Sequence, residues 1–175
     1  MIGVAIVVGH SERSQGASNV NGLTEFEFNQ RLACCIKSRG IRGADVIDVV
    51  FRDTYRALPD DINALNPDAI VSLHCNAFNT RVSGTETLYY HSSRSGRRLA
   101  ELLQVEVATT LELPNRGVKP VDSEGRGGYL LKYTNAPCVI AEPFFIDNPD
   151  DLKTAIERFY ALASAYCRAI EGCLR

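Results

Sequence analysis

The feature that most constrains the fold is a series of short, continuous apolar runs that alternate with segments of helical periodicity. Three of these runs, at 4–8, 69–73 and 138–141, are rich in β-branched residues and contain no charge. Such runs are typical of strands buried on both faces of a parallel sheet. Because strands and helices alternate, the sequence predicts an α/β fold, a single-domain sandwich whose central, mostly parallel twisted sheet is covered by helices on both faces.

The remaining elements are predicted from weaker signals. Segments 46–51 and 84–90 are predicted strands. Thr24, followed three residues later by Glu27, forms a capping box that begins the first helix, and Gly40 ends it. Further helices are predicted just before Asn66, at 97–111 and, as a closing helix, at 150–170.

Length and charge limit the classes of protein that the chain can represent. Its 175 residues suit one domain, 1–175, with its own core. A net charge of -2 provides no basic surface, so nucleic acid is not an expected partner. No apolar run approaches the roughly 20 residues of a membrane span, and the first residues lack the basic segment of a signal peptide. We therefore expect neither a membrane anchor nor a signal peptide.

The six cysteines form no C-x-x-C pair. This spacing argues against a metal site made of thiolates. It predicts instead buried, reduced thiols that pack as small hydrophobic residues.

Three residues able to bind a metal or transfer a proton stand at the ends of predicted strands: His10, His74 and Glu142. Ligands of open α/β sheets bind outside the carboxyl ends of the strands, so we expect these side chains to converge. The alternative is that each histidine is hydrogen-bonded near the core and that Glu142 is a salt-bridged carboxylate. The third histidine, His91, is predicted to lie at the surface.

A hydrolytic zinc ion takes three protein ligands and keeps one open position, so two histidines leave one ligand to find. Glu25, in the first turn of the first helix, is preferred over Glu12 and Glu27, because Glu27 already belongs to the capping box. A carboxylate at that position also stabilises the N-terminus of a helix by about 0.3–1 kcal/mol. From the residues alone, the two interpretations of Glu25 are equally favoured.

Six short segments follow one another over nearly the whole chain: 8–10 (V-G-H), 22–29 (G-L-x-E-x-x-x-N), 72–77 (S-x-H-x-N-A), 84–89 (G-x-E-x-x-Y), 116–119 (R-G-V-K) and 137–148 (P-x-x-I-x-E-x-x-F-I-x-N). In this order they resemble the zinc-dependent N-acetylmuramoyl-L-alanine amidases of the Amidase_3 type, found in bacterial autolysins and phage endolysins. The first segment departs from the family, which usually has Asp-Pro-Gly-His-Gly-Gly. This chain has Val7-Val8 before Gly9, and Ser11-Glu12 after the histidine.

The resemblance implies a cofactor, a reaction and residues that carry it. It implies a zinc ion held by His10, Glu25 and His74. It also implies that Glu142 is the catalytic residue, which takes a proton from the attacking water and delivers it to the departing alanine nitrogen. The implied reaction is hydrolysis of the amide bond between N-acetylmuramic acid and L-alanine in peptidoglycan.

Three further residues near these segments are predicted substrate contacts: Glu86, Arg116 and Asn76. An alternative for Glu86 and Arg116 is a surface ion pair, which usually contributes little to stability.

Other functions compatible with the same pattern are a zinc peptidoglycan peptidase, a deacetylase, and a non-catalytic module that binds the cell wall. A serine hydrolase is not favoured, because the chain has no G-x-S-x-G segment. The expected partner is the muramoyl-peptide of peptidoglycan, with no separate cell-wall-binding domain and a monomeric state. The lack of a signal peptide predicts an endolysin-like enzyme, synthesised in the host cytoplasm and released to act on the wall, although a host enzyme exported by another route remains the alternative.

Overall fold

The computed structural model describes residues 1–175, which form six strands and six helices. The strands are β1 (Gly3–Val8), β2 (Val46–Phe51), β3 (Ala69–Leu73), β4 (Thr85–Tyr90), β5 (Asn115–Val121) and β6 (Cys138–Glu142). The helices are α1 (Glu25–Arg39), α2 (Leu58–Ala64), α3 (Arg94–Leu111), α4 (Gly128–Tyr133), α5 (Pro149–Glu157) and α6 (Phe159–Cys173). All five predicted strands are present, and the α/β fold is confirmed.

The six strands form one sheet in the order β2-β1-β3-β6-β4-β5. Strands β2, β1, β3 and β6 are parallel to one another, and β4 pairs with β6 in the antiparallel direction. Strand β5 is parallel to β4. The start of β4 therefore lies at the same edge of the sheet as the carboxyl ends of β1, β3 and β6.

The core lies on both faces of this sheet, as predicted. Because successive side chains of a strand point to opposite faces, β1 contributes Val4, Ile6 and Val8 to a larger cluster and Ala5 and Val7 to a smaller one. The larger cluster includes buried side chains of α1, α3, α5 and α6, and the smaller one includes those of α2 and α4. Each fully buried valine, leucine or isoleucine side chain in these clusters contributes about 1.5–3 kcal/mol by the removal of its apolar surface from water.

Helix α1 begins and ends where its sequence predicts. The hydroxyl of Thr24 accepts a hydrogen bond from the Glu27 backbone N–H at 3.2 Å, and the Glu27 carboxylate accepts one from the Thr24 N–H at 2.9 Å. Gly40 follows the last turn with a φ of 74°, a backbone conformation that favours glycine. The capping box therefore occupies the Glu27 carboxylate and leaves that of Glu25 available.

The predicted closing helix at 150–170 is wrong, because two helices, α5 and α6, occupy this region with a break at Arg158. Arg158 has φ −102° and ψ 18°, outside the helical range. Its guanidinium donates a hydrogen bond to the Thr110 carbonyl at 2.8 Å and pairs with Glu112 at 2.8 Å. The break thus coincides with contacts to the end of α3, which local periodicity does not encode.

Between α3 and β6 the structure adds elements that the sequence does not predict. Strand β5 is mostly exposed at the edge of the sheet and contains Gly117 and Pro120, so it has no apolar run. Proline is tolerated at such an edge because no neighbouring strand needs its N–H. Helix α4 follows after a loop formed by residues 122–127, and α3 itself starts at Arg94, three residues before the predicted start.

The cysteines are free, but only three of the six are buried: Cys75, Cys138 and Cys167. Cys34 is exposed, so the prediction of buried thiols is wrong for this residue. His91 is exposed, as predicted.

None of the helices combines the length and the apolar character that crossing a membrane requires.

Candidate active site

The candidate site lies at the edge of the sheet where β1, β3 and β6 end. Leu73, the last residue of β3, is in register with Val8 of β1 and with Ala141 of β6. His74 directly follows β3, and His10 comes two residues after β1. Glu142 is the last residue of β6, whereas the sequence predicted it just beyond the strand. The parallel register thus brings together residues that are far apart in the sequence.

The three predicted metal ligands form one cluster. One ligand atom from each of His10, Glu25 and His74 lies within 4.8 Å of the others. Glu25 Oε1 is 2.9 Å from His74 Nδ1 and 3.2 Å from His10 Nε2. Two imidazole nitrogens and a carboxylate oxygen are a donor set that divalent transition metals bind, zinc among them.

The Glu25 carboxylate is held in place by backbone groups as well as by the histidines. It is buried and accepts hydrogen bonds from the N–H of Cys75 at 2.9 Å and of Ala17 at 3.2 Å. Burial alone would raise its pKa, but the bonds from His10 and His74 outweigh burial and keep the pKa of Glu25 well below its usual range. Glu25 is therefore ionised, which is the state that binds a cation.

Two glycines, Gly16 and Gly9, lie next to the side chains of the three predicted ligands and leave space beside them. A Cβ at Gly16 would lie 2.7 Å from both His10 Nε2 and Glu25 Oε2, and one at Gly9 would lie 2.8 Å from His74 Nε2. Gly16 also has a φ of 77°, which other residues rarely adopt. The space that a side chain would fill beside the three ligands is thus kept open, and the residues present fit a bound metal ion.

Glu142 lies in the same pocket as these residues but is not part of their cluster. Its side chain is buried, and burial raises the pKa of Glu142 to about 8. The negative charges of Glu86 and Glu25 act in the same direction, while the positive charge of Arg126 opposes it. A carboxyl group with a pKa near neutrality is suited to accept and return a proton at physiological pH.

Arg126 connects Glu142 with a second buried glutamate. Its Nη2 donates to Glu142 Oε2 and to Glu86 Oε1, each at 2.8 Å. Glu86 also accepts hydrogen bonds from Arg116 Nε at 2.8 Å and from Asn76 Nδ2 at 2.9 Å. Because the two arginines outweigh the effect of burial, the pKa of Glu86 is lowered. The three predicted substrate contacts thus bind one another beside Glu142.

Arg126 was not among the residues predicted from sequence. It lies in the loop at 122–127, where no apolar periodicity marks an element. The available signal is the G-R-G-G run at 125–128, because glycines on both sides of a charged residue indicate a backbone that turns tightly or approaches another segment.

The metal-ligand cluster and Glu142 open onto one pocket of about 340 Å³. Its wall includes the three clustered residues, Glu142, Asn76 and Arg126, together with the apolar side chains of Tyr55, Leu58, Leu130 and Ile140. Glu86 and Arg116 are not part of this wall. A concave site that combines apolar walls with a few convergent polar groups is typical of small-ligand and active sites.

Comparisons with known proteins find relatives over nearly the whole chain. The family described as N-acetylmuramoyl-L-alanine amidase (Amidase_3) matches residues 4–172. The N-acetylmuramoyl-L-alanine amidase LytC of Bacillus subtilis is 31% identical over an alignment of 159 residues that covers 85% of this chain and 31% of LytC. The uncharacterized protein YqiI of the same species is 32% identical over an alignment of 155 residues that covers 85% of this chain and 72% of YqiI. The chain thus spans less than a third of the length of LytC but most of YqiI.

Solved structures agree with these relatives at the level of the fold. The catalytic domain of CD27L, an endolysin targeting Clostridia difficile, aligns with a TM-score of 0.80 at 26% identity, covering 99% of this chain and 97% of that domain. An N-acetylmuramoyl-L-alanine amidase from Clostridium difficile 630 aligns with a TM-score of 0.83 at 23% identity, over 98% of this chain and 95% of that one.

Proposed function

The chain belongs to the N-acetylmuramoyl-L-alanine amidase family, and from this membership and the geometry of the site we propose that it is a zinc hydrolase of peptidoglycan. The bond it cuts is the amide between N-acetylmuramic acid and L-alanine. The observation that carries the proposal is the cluster of His10, Glu25 and His74 in one pocket with a buried carboxyl group, Glu142. Such a cluster beside a proton-transfer group is an arrangement suited to the hydrolysis of an unactivated amide.

His10, Glu25 and His74 are the residues that would hold the zinc ion. When bound, zinc supplies Lewis-acid chemistry, which polarises a carbonyl oxygen and makes water more acidic. The ionised state of Glu25 and its two backbone hydrogen bonds keep this carboxylate fixed before a metal arrives. Preformed ligands lower the conformational cost of binding, because few side-chain rotations are lost.

Glu142 is the proposed proton carrier. As a carboxylate it accepts the proton of the water that attacks the amide carbonyl, and as a carboxylic acid it donates that proton to the alanine nitrogen as the C–N bond breaks. A group that does both tasks is most effective when its pKa lies near the working pH. In the metal-free protein, burial moves the pKa of Glu142 in that direction, to about 8.

Substrate contacts are proposed for the polar groups beside Glu142. Asn76 lines the pocket, and its side-chain amide can form hydrogen bonds with a peptide group. Glu86 and Arg116 bind each other at 2.8 Å outside the pocket wall and stay proposed contacts of the muramoyl-peptide.

Product analysis of digested peptidoglycan tests this function. We expect zinc-loaded protein to release the amino group of L-alanine and to create no new reducing sugar ends. Amino groups of other stem residues would indicate a peptidase, and free acetate would indicate a deacetylase. Binding to the wall without any product would identify a non-catalytic module.

A further inference from the structure

We propose that Arg126 is a positioning residue for Glu142: its guanidinium, anchored on Glu86, holds the Glu142 carboxylate at the wall of the pocket. This inference rests on the proposed function, because it assigns Arg126 a part in the proton transfer of Glu142. It follows from the contacts of the loop at 122–127.

Arg126 is the cation that binds Glu142 directly. One nitrogen, Nη2, donates to Glu142 Oε2 and Glu86 Oε1, each at 2.8 Å, and Nη1 lies 3.4 Å from Asn76 Oδ1. The guanidinium of arginine is planar and its donors have a fixed geometry, so contacts with two fixed acceptors set its orientation. Glu142 is thereby held from the solvent side by a group that is itself fixed.

Glu86 is a rigid anchor for this arrangement. Glu86 in β4 is in register with Glu142 in β6, so two carboxyl groups lie opposite each other on neighbouring strands. Like charges at opposed positions destabilise a sheet. Arg116 and Asn76 satisfy Glu86 from other sides, at 2.8 and 2.9 Å. Arg126 therefore compensates the repulsion that arises between the two groups when Glu142 is ionised.

The backbone conformation of the loop at 122–127 places Arg126 beside Glu142. Asp122 Oδ1 accepts hydrogen bonds from the N–H groups of Glu124 and Gly125 at 3.0 and 2.8 Å, which turns the chain. Gly127 has a φ of 73°, and a Cβ there would clash with Ile140 Cδ1, two residues before Glu142 on β6. The loop is thus pressed against β6 directly beside the residue that Arg126 binds.

An ordinary surface ion pair does not account for these contacts. Surface pairs join two exposed groups and contribute about 0–1 kcal/mol. Arg126 is 56% exposed, but both of its partners are at most 7% exposed. A buried carboxylate that loses its cation keeps the cost of its desolvation, so the conformation and protonation of Glu142 depend on Arg126.

The test compares Arg126→Ala and Arg126→Lys with the control Arg168→Ala in the zinc-loaded protein. Arg168 is 50% exposed and binds Glu106 at 2.8 Å, between α6 and α3. We expect Arg126→Ala to lower kcat by about 10- to 100-fold, part of the 10²–10⁴-fold that a proton-transfer group contributes, with KM little changed. Lysine should restore part of kcat, and the control should match the wild type.

A second measurement detects the contact between Arg126 and Glu142 independently of enzyme activity. Loss of the Arg126 charge should raise the pKa of Glu142, because no cation next to Glu142 then opposes burial and the negative charges of Glu86 and Glu25. Carboxyl ¹³C NMR titration of metal-free wild type and Arg126→Ala measures this shift, and thermal unfolding of both checks that the variant folds. The acidic limb of the kcat profile should move to higher pH in the same direction.

The outcomes separate this inference from the proposed function. Unchanged kcat in Arg126→Ala, or a rise in KM alone, overturns the positioning role. An inactive wild type refutes the proposed function, and an unshifted Glu142 pKa in the variant then also refutes the contact.

Discussion

Glu142 is held among groups that favour its neutral form. Burial raises its pKa to about 8, Glu86 and Glu25 add negative charge, and Arg126 alone opposes them. A carboxyl group at its ordinary pKa of 4.5 would be a less effective carrier of a proton near neutral pH. The same surroundings make the charge of Glu142 a cost to the fold.

This cost predicts how stability depends on pH in the metal-free protein. The folded-state pKa lies above the ordinary value, so the contribution of Glu142 is fully present below about pH 4.5 and is lost as the pH rises through about 8. Glu142→Gln cannot ionise and should lose less stability between pH 5 and 9. Urea unfolding of both proteins in the presence of a chelator measures the difference, and parallel pH profiles would contradict it.

The choice of Glu25 over Glu27 as a metal ligand is tested by a matched pair of substitutions in one helical turn. Glu25→Ala should weaken zinc binding by more than the 10- to 100-fold that is typical for loss of a group that merely supports a ligand. Glu27→Ala removes a partner of Thr24 and should lower the free energy of unfolding while zinc affinity stays unchanged. Calorimetric titration with zinc measures both affinities. The reverse result would assign the ligand to Glu27.

At the scale of elements, the loop at 122–127 is held by the turn at Asp122 and by the close approach of Gly127 to Ile140. Gly127→Ala combines a positive φ with a clash against Ile140, so it should displace Arg126 and lower turnover. Gly43→Ala has a similar φ of 92° but no atom within 4 Å, so it carries the backbone strain alone. We expect both variants to be less stable and only Gly127→Ala to lose activity. Equal activity in the two variants would show that the close approach to β6 is not needed.

The elements that the sequence predicts are those whose signals lie within them. Helix α1 has its cap, its apolar stripe and its terminal glycine within 24–40, and its predicted bounds are the observed ones. The break at Arg158 coincides with contacts to Thr110 and Glu112, which are distant in sequence and leave no local pattern. The loop at 122–127 leaves only the G-R-G-G run at 125–128 as a local signal, and its approach to Ile140 is not encoded there. His10, His74 and Glu142 converge as predicted, because parallel strands place their ends at one edge of the sheet.

At the scale of the whole molecule, the three proposed ligands join parts of the chain that only the folded state brings together. His10 follows β1, Glu25 begins α1 and His74 follows β3, so a bound ion links two strands and a helix. A ligand that binds only the folded state stabilises it by RT ln(1 + [L]/Kd), about 2.7 kcal/mol when its free concentration is 100 times Kd. In a chain of this size that corresponds to a rise in Tm of roughly 5–10 °C.

We expect zinc to raise the Tm of the wild type and of Glu142→Gln by this amount, because Glu142 is outside the cluster. Zinc should leave the Tm of His74→Ala almost unchanged. Thermal unfolding with zinc or with chelator measures the shift, and an equal shift in His74→Ala would mean that the stabilising ion binds elsewhere.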